Sequence, residues 1–358
     1  MVAKLKIREI ASLTGLSLST VSRVLAGKSN TSAKARQIVM DCAKTQGVLS
    51  GLNAERLLFN HVIVFAPSRA FDVRTDIFYY KVVQGIRNAM TDRDVRFSFC
   101  AIEENDSDVS LFLKRISDSA CDAAIVIGID DPRIHEIAAD VDKPCVLVNC
   151  RDRQMRLDSV SPDHYLIGTL SADYLIEMGH RSILTLMSLR RSTMERRLDG
   201  IREGFASHHM PFAKGKHFVE TSGFGAQESR EALLAYLAGK SSDQYPTAIL
   251  AGGDFMAVGA KEALDLLEIQ VPGEISVMSM DGFNLAEIHD IPLTAVHVPR
   301  DELGAEALRL LQYRISHPDA PSRNLLLGGK LVVRNSVRRI GRRKLKTALA
   351  VREHGLYG

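Results

Sequence analysis

Apolar residues recur at helical spacing near the start of the chain and, from His61 onward, gather into short runs separated by helical stretches. In residues 5–25, LKIREIASLTGLSLSTVSRVL, the positions Ile7, Ile10, Ala11 and Thr14 share one face, which predicts a helix with one buried side. Gly15 ends it where a tight turn is needed. Ser17 is placed to cap a second helix that buries Val21, Val24 and Leu25. Ser32 is placed to cap a third, with Ala35, Ile38, Val39, Cys42 and Ala43 as its apolar stripe. Helix, short glycine-containing turn, helix is the helix-turn-helix unit.

The body reads differently. HVIVFAP, VRFSFCAI, AAIVIGI, CVLVN, SILTLM, AILAG and SVMSM are β-rich runs. Between them FYYKVVQGIRNAM, DHYLIGTLSADYLIEMG and DFMAVGAKEALDLL carry a helical pattern. Strands separated by helices of this length make βαβ units and parallel sheets. The number of units predicts two sheets rather than one. Ligands of open parallel sheets bind beyond the carboxyl ends of the strands, so two sheets imply a cleft between two lobes.

Charge sharpens this division. The 358 residues carry a net charge of +3, yet residues 1–60 hold nine Lys/Arg against three acids, and residues 338–358 seven against one. The stretch between is therefore acidic, which predicts a polyanion bound at one end rather than over the whole surface. No apolar run reaches the ~18 residues of a membrane span. The start, MVAKLKIREIASL, lacks the continuous apolar core of a signal peptide. Five cysteines, Cys42, Cys100, Cys121, Cys145 and Cys150, lie scattered without metal-ligand spacing, as reduced cytoplasmic thiols do, and Cys145 and Cys150 read as buried.

Chemistry-bearing patterns are sparse. There is no phosphate-binding loop, no nucleophile elbow and no HExxH pair, so no catalytic residue, metal site or cofactor is expected. AGGDF, Ala251 to Phe255, lacks the third glycine of a dinucleotide fingerprint, and His208-His209 reads as a solvated helix end. The second helix, by contrast, presents Leu18, Ser19, Ser22 and Arg23 outward. Hydroxyls can bond phosphates or base edges, and a guanidinium can grip guanine through two hydrogen bonds in the major groove.

IREIASLTGLSLSTVSRVLAGKSNTSAKAR resembles the headpiece of the LacI/GalR repressor family, with TVSRVL, Thr20 to Leu25, intact. The resemblance implies that Leu18 and Ser19 select the operator and that Arg23 contacts a base. It implies that Ser17, Thr20, Ser22, Asn30 and Ser32 hold phosphates, and that Leu57 wedges between base steps from a hinge. The linker GVLSGLNAERLL departs from the family pattern: Ser50 and Gly51 replace a Pro-Asn pair and Glu55 replaces an arginine, while Ala26 replaces a usual Asn. These departures are what favours the alternative of a sugar-binding module with lost DNA binding. An enzyme on the same sheets is the second alternative.

The resemblance continues through YLIEMGHRSI, RLDGIREGF, PTAILAGGDFMAVGAKEAL, VPGEISVMSMDG, IPLTAVHVPRDELG and LVVRNSV. It implies a body like periplasmic sugar-binding proteins, with two lobes crossed by three strands. Its implied effector residues are Phe78 and Tyr79 after the first strand, Asn149 after the fourth, Arg191 and Arg197 before and at the start of the RLDG helix, Phe224, and Asp281. Arg197 and Asp281 are expected to hold the effector from opposite lobes. Carboxylate and guanidinium together suit a polyol. The crowding of Arg190, Arg191, Arg196 and Arg197 leans toward an acidic or phosphorylated sugar. The expectation is an α/β protein: a helix-turn-helix headpiece and hinge (1–58), a two-lobed, periplasmic-binding-protein-like effector and dimerisation domain with parallel sheets (59–340), and a basic tail (341–358). As a homodimer it would bind pseudo-palindromic operator DNA and a small sugar-like effector, and no membrane.

Overall fold

The computed structural model describes residues 2–25, 31–46, 59–73, 76–91, 95–104, 106–282 and 292–341. Asn30, Ala26, the hinge with Leu57 and Glu55, and the basic tail lie outside them. Three helices form the headpiece: α1 (Val2–Thr14), α2 (Leu18–Leu25) and α3 (Ala33–Thr45). Gly15 ends α1 in the left-handed region, φ 67°, which suits a residue without Cβ. Ser17 Oγ accepts the N–H of Thr20 at 3.1 Å, and Ser32 Oγ that of Ala35 at 3.2 Å, so both expected caps are made. Ile10, Val21, Val24, Leu25, Val39 and Ala43 are buried together. Ile38 is not among them: it is 37% exposed, because the core takes only a narrow stripe of α3.

The body contains two six-stranded sheets. The first has the order β11-β5-β4-β3-β1-β2, from β1 (His61–Ala66), β2 (Arg96–Ala101), β3 (Ala123–Ile127), β4 (Cys145–Val148), β5 (Asp158–Pro162) and β11 (Asn324–Leu327), every pair parallel. The second has the order β12-β10-β9-β8-β6-β7, from β6 (Ile183–Met187), β7 (Phe218–Glu220), β8 (Ala248–Ala251), β9 (Ser276–Ser279), β10 (Thr294–His297) and β12 (Lys330–Val332). Only β12 runs antiparallel to its neighbour. The central strands β3, β4, β6, β8 and β9 are buried along their whole length, as strands covered on both faces must be.

Around the first sheet lie α4 (Ile77–Ala89), α5 (Val109–Ile116) and α6 (Pro132–Asp140), each N-capped by an aspartate side chain: Asp76, Asp108 and Asp131. Around the second lie α7 (His164–Glu177), α8 (Ser192–Ser207), the one-turn α9 (Lys214–His217), α10 (Ala226–Leu237) and α11 (Asp254–Leu266). The last long helix, α12 (Arg300–Ser316), returns to pack on α4, β4 and β5 of the first lobe. The chain thus crosses between the lobes three times, from β5 to α7, β10 to α12 and β11 to β12.

Glycines set the helix pairs next to these crossings. A Cβ at Gly168 of α7 would strike the carbonyl of Arg197 on α8, and one at Gly200 the carbonyl of Tyr165. Gly85 of α4 and Gly304 of α12 approach the carbonyls of Asp301 and Val82 in the same way. At the far end of the first lobe, Asp122 accepts the N–H groups of Asn60 (2.7 Å) and His61 (3.0 Å), fixing the chain where it enters β1.

Candidate recognition helix and interlobe cleft

On the headpiece, Ser17, Leu18, Ser19 and Ser22 are exposed, Thr20 and Arg23 half-buried, and Ser32 exposed at the start of α3. Leu18, 48% exposed, gains nothing from the headpiece core, so its apolar side chain is available to a partner. Ser17 Oγ lies 2.9 Å from Ser19 Oγ and 2.8 Å from Thr20 Oγ1. Arg23 lies back along α2, its Nε donating to the carbonyl of Ser19 at 3.1 Å. One exposed, short-side-chain helix face with one long cation is a shape that can enter a major groove.

The second site lies between the lobes. Phe78, Tyr79, Asn149, Arg191, Arg197, Phe224 and Asp281, all seven residues expected from the sequence, line one cavity of about 580 Å³. It opens at the carboxyl ends of both sheets, as parallel sheets dictate. Phe78 and Tyr79 sit in the first turn of α4, with Tyr79 buried. Asn149 follows β4 with φ 54°, a left-handed conformation that Asn tolerates. Arg191 is the N-cap residue of α8, and Arg197 lies in the second turn rather than at the start.

A buried polar chain runs beneath this cavity. Tyr79 Oη receives Asn149 Nδ2 at 2.9 Å, and His164 Nε2 lies 2.8 Å from Asn149 Oδ1. His164 Nδ1 accepts from Arg197 Nη2 at 3.0 Å, so the neutral ring carries its proton on Nε2 and donates it to Asn149. Burial, with Arg197 beside it, holds His164 well below the usual imidazole range. Arg197 continues the chain to the carbonyl of Gly252 (2.6 Å) and to Asp281 Oδ1 (3.2 Å). Arg197 and Asp281 therefore belong to the same lobe and pair with each other. The expectation of opposite lobes was wrong, because α8 and β9 both serve the second sheet.

The cross-lobe contacts come from elsewhere. Arg191 Nη2 donates to the carbonyl of Asn149 at 2.6 Å and its Nε lies 3.3 Å from Asp130 Oδ2. Burial lowers Arg191 to about 9, with Arg69 repelling it. Burial raises Asp130 to about 6, with Glu104 adding to the push. Arg300 Nη1 donates to the carbonyl of Asp281 at 2.7 Å while its guanidinium stands 6.0 Å from the Phe78 ring centroid. Within the first lobe, Arg69 bridges Asp76 and Glu104, both at 2.7 Å. Within the second lobe, Asp254 accepts from Ser279 Oγ and from the Gly282 N–H.

Sequence reasoning missed Arg69, Asp130, His164, Asp254 and Arg300. His164 begins α7 directly after Asp163, whose side chain caps the helix, and nothing in its helical surroundings marks it as polar core. Asp254 lies inside AGGDF, where the family resemblance and the helical pattern cover it without marking its side chain as part of the cleft. Among the described residues no group of three or more His, Cys, Asp or Glu could hold a metal ion, and no helix is long and apolar enough to cross a membrane. His208 ends α8 and pairs with Asp173 at 3.2 Å, in keeping with a helix-end role.

Comparison with known proteins decides the family. The model for bacterial regulatory proteins of the lacI family matches residues 6–47, and that for the periplasmic binding protein-like domain matches residues 172–337. The chain belongs to the LacI family. As a LacI-family protein it is a DNA-binding transcriptional regulator. It is similar to the ribose operon repressor of Escherichia coli (strain K12), 26% identical over 341 residues that span 92% of this chain and 98% of the relative. It is also similar to the transcriptional repressor PurR of Photobacterium profundum, at 24% over 339 residues, 93% of this chain and 98% of the relative. In fold, this LacI-family chain matches the lac repressor dimer bound to operator and an anti-inducer, TM-score 0.65, 21% identity, 92% of this chain and 98% of that one. It matches a LacI-family regulator from Enterococcus faecium with bound ribose at TM-score 0.66 and 19% identity, covering 79% and 100%.

Proposed function

We propose that the protein is a cytoplasmic, homodimeric transcriptional repressor whose operator affinity is set by a small sugar-like effector, and that it catalyses no reaction. Residues 1–58 form the DNA-binding unit, 59–340 the effector and dimerisation unit, with a basic tail after them. Ser17, Leu18, Ser19, Thr20, Ser22, Arg23, Asn30, Ser32 and Leu57 meet the DNA. Phe78, Tyr79, Asn149, Arg191, Arg197, Phe224 and Asp281 meet the effector.

The observation that carries the effector reading is the convergence of those seven residues on one cleft lined by aromatic rings, guanidinium groups and carboxylates. Rings stack on the apolar faces of a sugar, and paired charges bond its hydroxyls. A ligand that binds the closed cleft better than the open one shifts the lobe equilibrium, and only that difference can reposition the two headpieces. The ribose operon repressor among the relatives and the ribose-bound regulator among the folds support a sugar as the effector.

The test is selection of genomic fragments on the immobilised full chain, followed by footprinting with and without a sugar panel. An inverted repeat with half-sites about one helical turn apart is expected, with protection changed by at least one sugar. Fragments sharing no inverted repeat would sink the operator reading. Protection that no sugar alters would sink the effector reading.

A further inference from the structure

The charges in the cleft are not evenly committed, and their pairing says which sugar class fits. The guanidinium groups held in the cavity wall already face carboxylates: buried Arg197 faces Asp281 at 3.2 Å, and half-buried Arg69 faces Asp76 and Glu104, both at 2.7 Å. Arg191 faces Asp130 at 3.3 Å and is further bonded to the Asn149 carbonyl. Arg190, the remaining arginine of the lining, is exposed. An entering phosphate or carboxylate would find no buried cation to itself. It would also have to approach Asp281, Glu104 and Glu228, all of which line the cavity. Desolvating an anion against carboxylates is unfavourable on both counts.

Glu228 is the opposite case. It stands in the first turn of α10, half-buried, and lines the cavity beside Phe224. Among the described residues its carboxylate makes no hydrogen bond or ion pair, and it does not bond the N–H groups of its own helix. The loop before it passes close to it. Gly223 and Gly225 flank Phe224, and a Cβ on the first would strike Glu228 Oε1, on the second Oε2. The carboxylate thus lies close over the backbone of Gly223 and Gly225, an acceptor that the protein itself leaves unused on the wall of the cavity. A half-buried carboxylate gains most from a charged donor and less from a neutral one.

We propose that the effector is a polyhydroxylated ring bearing no anionic group, and that Glu228 selects it by accepting a hydrogen bond, from an ammonium in preference to a hydroxyl. This rests on the cleft being the effector site. It also reverses the lean toward an acidic or phosphorylated sugar drawn from the run Arg190, Arg191, Arg196 and Arg197. Arg196 is exposed and stands over the Tyr165 ring, Arg190 lines the cavity only from an exposed position, and Arg191 and Arg197 are already paired.

The experiment is calorimetric titration of the full chain with ribose, glucose and galactose, with glucosamine and galactosamine, and with glucose 6-phosphate, ribose 5-phosphate and glucuronate. Neutral parents should bind at least about tenfold more tightly than their phosphorylated or acidic forms. An amino sugar should bind roughly fivefold to tenfold more tightly than its parent, the difference between a charged and a neutral donor. In Glu228→Gln, which keeps the side chain's size, that preference should fall to within about twofold. The variant's unfolding midpoint, read alongside, separates a changed site from a damaged fold, and Glu228→Asp should retain part of the preference. Tighter binding of a phosphate or uronate than of its parent overturns the proposal while leaving the effector reading intact. So does an amino-sugar preference that is absent in the native chain or survives in Glu228→Gln. Failure of every sugar, charged or neutral, would instead overturn the effector reading itself.

Discussion

Arg191 of the second lobe donates to the main-chain carbonyl of Asn149 in the first at 2.6 Å, so the strand end that carries one cleft residue is tied to the helix that begins with another. The same guanidinium reaches Asp130, and His164 reaches the Asn149 side chain. The lobes are thus joined by polar contacts under the cavity in addition to the three crossings.

Replacing Arg191 with alanine removes two of these contacts at once. Hydrogen bonds to charged groups contribute roughly 1.5–3 kcal/mol each, less here for the long Asp130 contact. The expected outcome is a lower unfolding midpoint and a larger radius of gyration by small-angle scattering, as the cleft opens. A scattering profile identical to the native one would mean that the crossings and His164 hold the lobes without it.

The histidines predict an acid-side loss of stability. His164 is held well below its usual range by burial and Arg197, and burial lowers His180 to about 4. In the unfolded chain both bind protons near pH 6.5. The unfolded state therefore takes up more protons, and stability falls as pH drops from about 6.5 toward 4. For His180 alone the loss is about 3 kcal/mol by pH 4. Urea unfolding at pH 7.5, 6 and 5 measures it. His180→Gln should be less stable at pH 7.5 but show a shallower pH slope, and an unchanged slope would remove His180 from the account.

On the headpiece, Arg23→Ala should weaken specific operator binding by about 1–3 kcal/mol and relax selectivity at one base position. Titration against operator and random duplexes distinguishes the roles. Equal losses on both would make Arg23 a phosphate contact.

Ser17→Ala removes the cap of α2, whose hydroxyl accepts the Thr20 N–H, and should destabilise the headpiece by about 1 kcal/mol. Hydrogen exchange at Thr20 and Val21 in the full chain reads this directly. Protection equal to that of the native chain would show that α2 is held by Val21, Val24 and Leu25 alone.

Thiol titration gives a check on packing. Cys100, Cys121, Cys145 and Cys150 are buried and Cys42 half-buried. Burial raises all four buried thiols, which keeps them from forming the reactive thiolate. One thiol should react quickly with a soluble disulfide reagent in the native state and the rest only on denaturation. Two or more fast thiols would contradict the burial of β2, β3, β4 and their ends.

The sequence carried the headpiece almost whole, since caps, a turn glycine and a helical stripe are local signals. Ile38 strayed because a stripe states which residues are apolar, not how wide a face the core will cover. In the body, uninterrupted apolar runs such as AAIVI announced their strands. β5, DSVSP, did not: its Asp158 is buried only because Arg314, 156 residues later, grips it with two bonds at 2.7 and 3.0 Å. The cleft residues were visible through resemblance, yet their pairing was not. Whether Arg197 and Asp281 face each other or oppose each other depends on which sheet each joins, and a chain that crosses three times hides that from any local pattern.

The close-set glycines of α7 against α8 and of α4 against α12 have a mechanical consequence. Backbones in contact leave no side-chain layer to shear, so each helix pair behaves as a stiff plate clamped beside a crossing. Work done by a ligand in the cleft then has little to deform except the short connections themselves. Because β1 begins at the end of its plate far from the cleft, where Asp122 grips Asn60 and His61, a small rotation at the cleft becomes a longer sweep at the point where the DNA-binding arm is mounted. For a rotation of the lobes about the cleft, the gain at that point would be set by the length of the first lobe, and any substitution that lets a plate bend would lower it.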